Sequence, residues 1–135
     1  FPKQGKVFLS VRQSDKNGIV EVARDLLELG FELVATRGTA QMISEQGLPV
    51  TAINKVTEGR PHVVDMIKNG EICLVINTVD EKRQAVQDSY SIRRSALQGR
   101  IPQYTTLAGA RAVCIGMRHL QDLGVYSVQS LHSQL

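Results

Sequence analysis

The chain has 135 residues, 42% of them hydrophobic and 21% charged, enough for one domain with a real core and too few for two. Aromatics make up 4% and Trp is absent, so the core must be aliphatic, which suits a buried parallel sheet better than a sandwich. A net charge of +3 and a pI of about 9.1, with no Lys/Arg block and no interleaved aromatics, argue against a nucleic-acid surface and leave room for a small anionic ligand.

No run approaches the roughly 18 apolar residues of a membrane span, and no signal peptide precedes the first strand. Cys73 and Cys114 sit in apolar segments with no local partner spacing, and read as reduced, buried thiols of a cytosolic protein. The opening Phe1-Pro2-Lys3-Gln4-Gly5 lacks Met. Residues 1–5 therefore read as a linker, and 6–135 as a single domain cut from a longer chain.

In chain order, Lys6 to Val11 is rich in β-formers and reads as the first strand. A turn at Gln13 to Asn17 follows, where Ser14 or Asp15 can cap a helix. That helix runs to about Leu29, with Ile19, Val22, Ala23, Leu26 and Leu27 on one apolar stripe and Gly30 as the stop. Phe31 to Ala35 is the second strand, followed by a helix from about Gly38 to Gln46 and a stop at Gly47. Leu48 to Ile53 is the third strand. The polar stretch Asn54 to His62, with Gly59 and Pro61, is a loop leading into a helix from His62 to Lys68. Ile72 to Ile76 is apolar throughout, as a strand buried on both faces would be, and is the expected sheet centre. Asp80 to Gln98 has helical composition with a break expected near Ser89. Ile101 to Thr105 is a fifth, poorer strand, and Pro102 argues for an edge or a strand start. A last helix spans about Leu107 to Leu123, with Ala110, Val113, Cys114, Met117 and Leu120 inward, and Val125 to Leu135 forms a tail.

Strands alternating with helices predict a three-layer α/β/α sandwich around a five-stranded parallel sheet with right-handed crossovers. Ligands in such sheets bind at the carboxyl ends of the strands. Those ends offer Ser10, Arg12 and Lys16; Thr36, Arg37 and Thr39; Asn54, Lys55 and Arg60; Asn77 and Thr78; and Tyr104, Thr105 and Thr106. Thr36-Arg37-Gly38-Thr39 reads by itself as an ordinary helix cap or as a phosphate-binding turn. Hydroxyls, amides and cations at every strand end favour an anionic ligand. Lys16 and Lys55 are point charges suited to phosphate, or solvated surface lysines. Asn77 and Thr78 suit a ribose or base, or simply end a strand.

Catalytic parts are scarce. His62, His119 and His132 stand singly and read as surface residues. The cysteines and histidines form no metal-ligand spacing, and no Gly-x-Gly-x-x-Gly, Walker loop or Gly-x-Ser-x-Gly occurs. Asp15 reads as a cap and Asp65 as a helix-surface residue. A ligand site with no acid/base pair reads as a binding site. Arg93-Arg94 could steady a helix end, meet an acidic neighbour or be a solvated face.

Several strings carry a family resemblance. They are Leu9-Ser10-Val11-Arg12 with Asp15-Lys16, Gly30 through Thr36 with Gly38-Thr39-Ala40, and Asn54-Lys55-Val56-x-Glu58-Gly59-Arg60-Pro61-His62. Others are Ile67 to Glu71, Ile76-Asn77-Thr78, Ile92-Arg93-Arg94-Ser95-Ala96 and Tyr104-Thr105-Thr106. On these residues the chain resembles the C-terminal allosteric domain of the bacterial glutamine-dependent carbamoyl-phosphate synthetase large subunit, over nearly its whole length. The resemblance implies a methylglyoxal-synthase-like, Rossmann-like fold that binds UMP, an inhibitor, or IMP in the same pocket. By position, Lys16, Thr36, Thr39 and Lys55 would hold the effector phosphate with Ser10 beside them. Asn77 and Thr78 would face ribose or base, and Thr105 would make an inter-domain or ornithine contact. The family has a further Thr, then Ser or Gly, after Asn-Thr, whereas Val79-Asp80 follow here; Gln103 stands where the family places a Tyr.

The resemblance also implies partners and cofactors: the rest of the large subunit, the small glutaminase subunit, and in the parent ATP with Mg or Mn and K, none of them held by this fragment. It implies no catalytic residue, no metal site, no nucleic acid and no membrane, in a cytoplasmic ligase serving pyrimidine and arginine synthesis. The alternatives are free-standing enzymes acting on a small phosphorylated substrate. Methylglyoxal synthase uses an Asp in a Gly-Gly-Asp loop, and Glu58 to His62 lacks it. The IMP-cyclohydrolase domain of the bifunctional purine enzyme shares the patterns at Ser14 to Val20 and Thr36 to Ala40, but its Lys-Thr-Leu-His segment is absent.

Overall fold

A computed structural model of the chain describes residues 5–53, 63–78 and 83–122. Its strands are β1 (Lys6–Ser10), β2 (Glu32–Thr36), β3 (Thr51–Ile53), β4 (Ile72–Asn77) and β5 (Gln103–Tyr104). Its helices are α1 (Lys16–Glu28), α2 (Arg37–Glu45), α3 (Val63–Lys68), α4 (Arg83–Gln98) and α5 (Leu107–Asp122). The five strands form one parallel sheet in the order β3-β2-β1-β4-β5.

Side chains alternate across the pleat and so divide the core in two. Val7, Leu9, Leu33, Ala35, Leu74 and Ile76 pack with α1, α2 and α5, while Phe8, Val34 and Val75 pack with α3 and α4. That is the three-layer arrangement predicted from the alternation of elements. The predicted stripe of α1 faces the first core, with Ile19, Val22, Ala23 and Leu26 all fully buried.

Three expectations need correction. The central strand is β1, not β4: β1 lies between β2 and β4, with Val7, Phe8 and Leu9 all 0% exposed. An apolar run reports burial on both faces, which every interior strand has, so it cannot rank one interior strand over another. Second, α4 passes through Ser89 without a break. One Ser costs a helix only a fraction of a kcal/mol, too little to interrupt a helix of 16 residues. Third, Cys73 is only half-buried, unlike Cys114 at 1% exposure, although both are free thiols.

The position of Cys73 follows from register. Lys6 pairs with Ile72 and Val7 with Leu74, so Cys73 is the extra residue of a bulge. Its Sγ donates to the Lys6 carbonyl at 3.3 Å. The bulge turns Ile72 toward the α3/α4 core while Leu74 faces the other one. Burial raises the Cys73 thiol, and raises Cys114 to about 11 with further help from the negative charge of Asp25.

Strand β5 is a two-residue edge strand directly after Pro102, as the proline predicted. The expected helix start at His62 and the tail 125–135 lie outside the described residues, as do the loop 54–62 and residues 79–82.

Candidate functional site

In a parallel sheet all strands end on one side, so the exits of β1, β2 and β4 form a single rim. Register sets Ser10 opposite Asn77 across β1 and β4. Thr36, Thr39, Asn77 and Thr78 are all buried there, at 4%, 1%, 7% and 5% exposure. Buried polar groups of this kind need partners. Thr36 Oγ1 lies 3.4 Å from Ser10 Oγ and 3.3 Å from Thr39 Oγ1. Thr39 Oγ1 also accepts the Val11 N–H at 3.2 Å. Thr78 Oγ1 accepts the Arg12 N–H at 2.8 Å, and the Thr78 N–H donates to the Ser10 carbonyl at 2.9 Å. Thr39 and Thr78 thus hold the β1–α1 turn from two sides.

Lys16 is the first residue of α1, and its half-buried side chain reaches across to α2. A Cβ on Gly38 would lie 2.7 Å from Lys16 Nζ, so the ammonium rests over the second residue of α2. The Gln13 Oε1 accepts a hydrogen bond from the same ammonium at 3.0 Å. Thr36 occupies the N-cap position of α2 without a side-chain cap bond. The positive end of α2 and the Lys16 ammonium therefore share one small volume, a combination that an anion stabilises.

Asp15 behaves differently from the expected cap. It stands at the N-cap of α1 but makes no capping bond. Its carboxylate accepts from Arg12 Nε at 2.9 Å. Charge pairing to an arginine at i, i+3 outcompetes a neutral backbone donor, and that spacing was the sequence signal for it. The Asp15 charge is thereby balanced by a guanidinium.

The structure brings Ser10, Lys16, Thr36, Thr39, Asn77 and Thr78 to one rim. Thr105 is not among them: it is exposed after β5, which only β4 joins to the rest of the sheet. Lys55, with Asn54 and Arg60, lies outside the described residues, as do Val79 and Asp80. Asp65 is in the first turn of α3 and half-buried, and His119 is exposed in the last turn of α5. Gln13 was not predicted as a site residue, and Gly38, read as part of the Thr36 to Thr39 turn, was not foreseen as the seat of Lys16, because that role depends on a side chain from another element. Among the described residues no group of three or more His, Cys, Asp or Glu is placed to hold a metal, and no helix is long and apolar enough to cross a membrane. A cavity of about 310 Å³ lies elsewhere, beside β2 and β3, lined by Phe31, Leu33, Val50, Ile53 and Met66 among others, and takes in none of the rim residues.

The profile of the MGS-like domain family matches residues 18–105. The chain belongs to this family. The match takes in Thr36, Thr39, Asn77, Thr78 and Thr105, and begins just after Lys16. Over its full length the chain is 56% identical to a carbamoyl phosphate synthase large chain of Ralstonia nicotianae, and 54% identical over 133 residues to that of Pseudomonas aeruginosa. It spans about 12% of the length of each. The MGS-like fold is also that of a methylglyoxal synthase from Elizabethkingia anophelis, at TM-score 0.64 and 18% identity, with 84% of this chain and 79% of that one covered. The crystal structure of ForH aligns at TM-score 0.63 and 20% identity, covering 89% of this chain and 80% of that one.

Proposed function

We propose that this MGS-like domain is the allosteric module, residues 6–135, of the large subunit of a glutamine-dependent carbamoyl-phosphate synthetase, and that it binds UMP as inhibitor or IMP at the rim of its sheet. The observation that carries the reading is the Lys16 ammonium resting over Gly38 at the start of α2. The whole-chain identity to proteins named carbamoyl phosphate synthase large chain supports the parent's identity. In this reading Lys16, Thr36, Thr39 and Lys55 hold the phosphate with Ser10 beside them. Asn77 and Thr78 meet the ribose or base, and Thr105 serves an inter-domain or ornithine contact.

The domain itself is non-catalytic in this reading, which the pairing of Asp15 with Arg12 among the described residues supports. Synthesis of carbamoyl phosphate from glutamine, bicarbonate and ATP, with Mg or Mn and K, belongs to the rest of the cytoplasmic parent and its small glutaminase subunit. The effector acts by preferring one arrangement of that assembly, shifting its population by the difference in affinity.

Calorimetry of the 135-residue chain with UMP tests this. A saturable heat is expected, weakened about tenfold or more by Lys16→Ala or Lys55→Ala, the loss of one charge-assisted phosphate contact. Absence of heat with UMP, IMP and inorganic phosphate, together with turnover of dihydroxyacetone phosphate, would sink the proposal in favour of a lyase.

A further inference from the structure

We infer that Leu107 is a positioning residue for the rim: through Gly18 it sets where Lys16 stands over Gly38. This rests on the anion-binding reading of Lys16 proposed above. Gly18 lies in the first turn of α1, two residues after Lys16. A Cβ there would come within 2.3 Å of Leu107 Cδ2 and 3.1 Å of Arg111 Nη2. No real Cβ approaches that closely, so the Leu107 methyl fills the space a side chain on Gly18 would need. The amino-terminal turn of α5 is seated in a notch of α1.

A second notch continues the contact outward. A Cβ on Gly109 would lie 3.4 Å from Tyr104 Cδ1 and 3.1 Å from Thr106 Oγ1. Thr106 caps α5 by accepting the Gly109 N–H at 3.0 Å. Tyr104 on the edge strand, the turn at Thr105 and Thr106, Leu107 and Gly18 are therefore in one packed series. It ends at Lys16.

Beyond the notch the two helices share the apolar core of Ile19, Val22, Val113 and Met117, and their ion pairs among the described residues are exposed. Arg111 reaches Glu21 at 3.8 Å, and Arg118 reaches Asp25 at 3.1 Å and Glu28 at 2.8 Å. Such pairs are long, flexible and screened by salt. The notch is a hard contact between half-buried groups, and close-packed contacts transmit displacement. Gly18 and Lys16 are about half a helical turn apart on one rigid element, so a shift at the notch reaches the lysine backbone. At the far end the ammonium lies 2.7 Å from where a Cβ on Gly38 would stand. Pressure on the exposed Thr105–Thr106 turn thus has a mechanical route to the anion site, and by linkage an anion at Lys16 must act back on that turn.

The test uses the 135-residue chain as wild type, Gly18→Ala, Leu107→Ala and the double variant. Two readouts are taken: UMP affinity by calorimetry, and the amide resonance of Gly38 without ligand. Gly18→Ala is expected to weaken UMP about fivefold, within the range that remote packing changes produce, and to move the Gly38 resonance. The double variant removes the colliding methyl and should return both to near wild type, a rescue that general destabilisation would not give. Leu107→Ala only removes atoms and should move the Gly38 resonance even where Gly18→Ala folds poorly. A Gly38 resonance indifferent to Leu107→Ala, or a double variant no better than Gly18→Ala, overturns the inference. If wild type binds no UMP yet the resonance moves and is rescued, the nucleotide reading falls and the coupling stands.

Discussion

Gly38 shows how one residue can be dictated by a neighbour distant in sequence. Its φ is not positive, so backbone freedom is not the reason for a glycine. The reason is the Lys16 ammonium 2.7 Å from where a Cβ would be. Because the ammonium is the tip of a flexible side chain, Gly38→Ala should displace it without disturbing the fold. Alanine also favours the helix by up to about 1 kcal/mol over glycine. We therefore expect Gly38→Ala to melt at the same or a higher temperature than wild type while binding UMP several-fold more weakly. A melt and a titration on one sample check both signs; a parallel loss of stability and affinity would mean that the glycine serves packing. Lys16 was legible in the sequence as a cation at a strand end, but its seat was not, because that seat is made by α2.

At the scale of elements, helix ends were readable and their exceptions instructive. Gly30 follows α1 at φ +99°, with the Phe31 N–H returning to the Leu26 carbonyl at 3.0 Å. Helix α4 uses the same closure, the Ile101 N–H meeting the Ala96 carbonyl at 2.8 Å, but places Arg100 at φ +56°. The glycine stands one position too early, at Gly99. A side chain in the left-handed region costs about 1 kcal/mol. Arg100→Gly should accordingly stabilise the chain by about that amount in urea unfolding, with an unchanged denaturant slope. No change, or a loss, would mean that the Arg100 side chain makes a contact that offsets the strain. Caps were less legible than stops. Thr106 caps α5, yet Asp15 and Thr36, at the N-cap positions of α1 and α2, spend their oxygens elsewhere. A capping residue near a site has competing partners that only folding supplies.

For the whole molecule, the two cores meet at β1, whose Phe8 is fully buried on the α3/α4 side and whose Val7 and Leu9 are fully buried on the other. The central strand also carries Ser10 of the rim at its end, and a short turn joins it to Lys16. The segment that anchors both cores is thus also the one on which the proposed binding site depends. Phe8→Ala should cost about 3–5 kcal/mol, a large share of the 5–15 kcal/mol typical of a domain. Chemical denaturation measures it, and a cost below about 1 kcal/mol would show that this core can collapse around the gap.

The sequence by itself determined the order of elements, the aliphatic parallel sheet, the inward face of α1 and the hydroxyl-rich strand ends. Each rests on local periodicity or on the chemistry of single residues, which need no knowledge of partners. Only the tertiary structure decided that β1 rather than β4 is central, that Cys73 bulges out of register, that Asp15 serves Arg12, and that Lys16 lies on Gly38. Those are outcomes of competition between groups far apart in the chain. Burial pattern tells a strand that it is interior, but pairing decides which strands flank it; charge tells a lysine that an anion suits it, but packing of α1 between α2 and α5 decides where the charge is held.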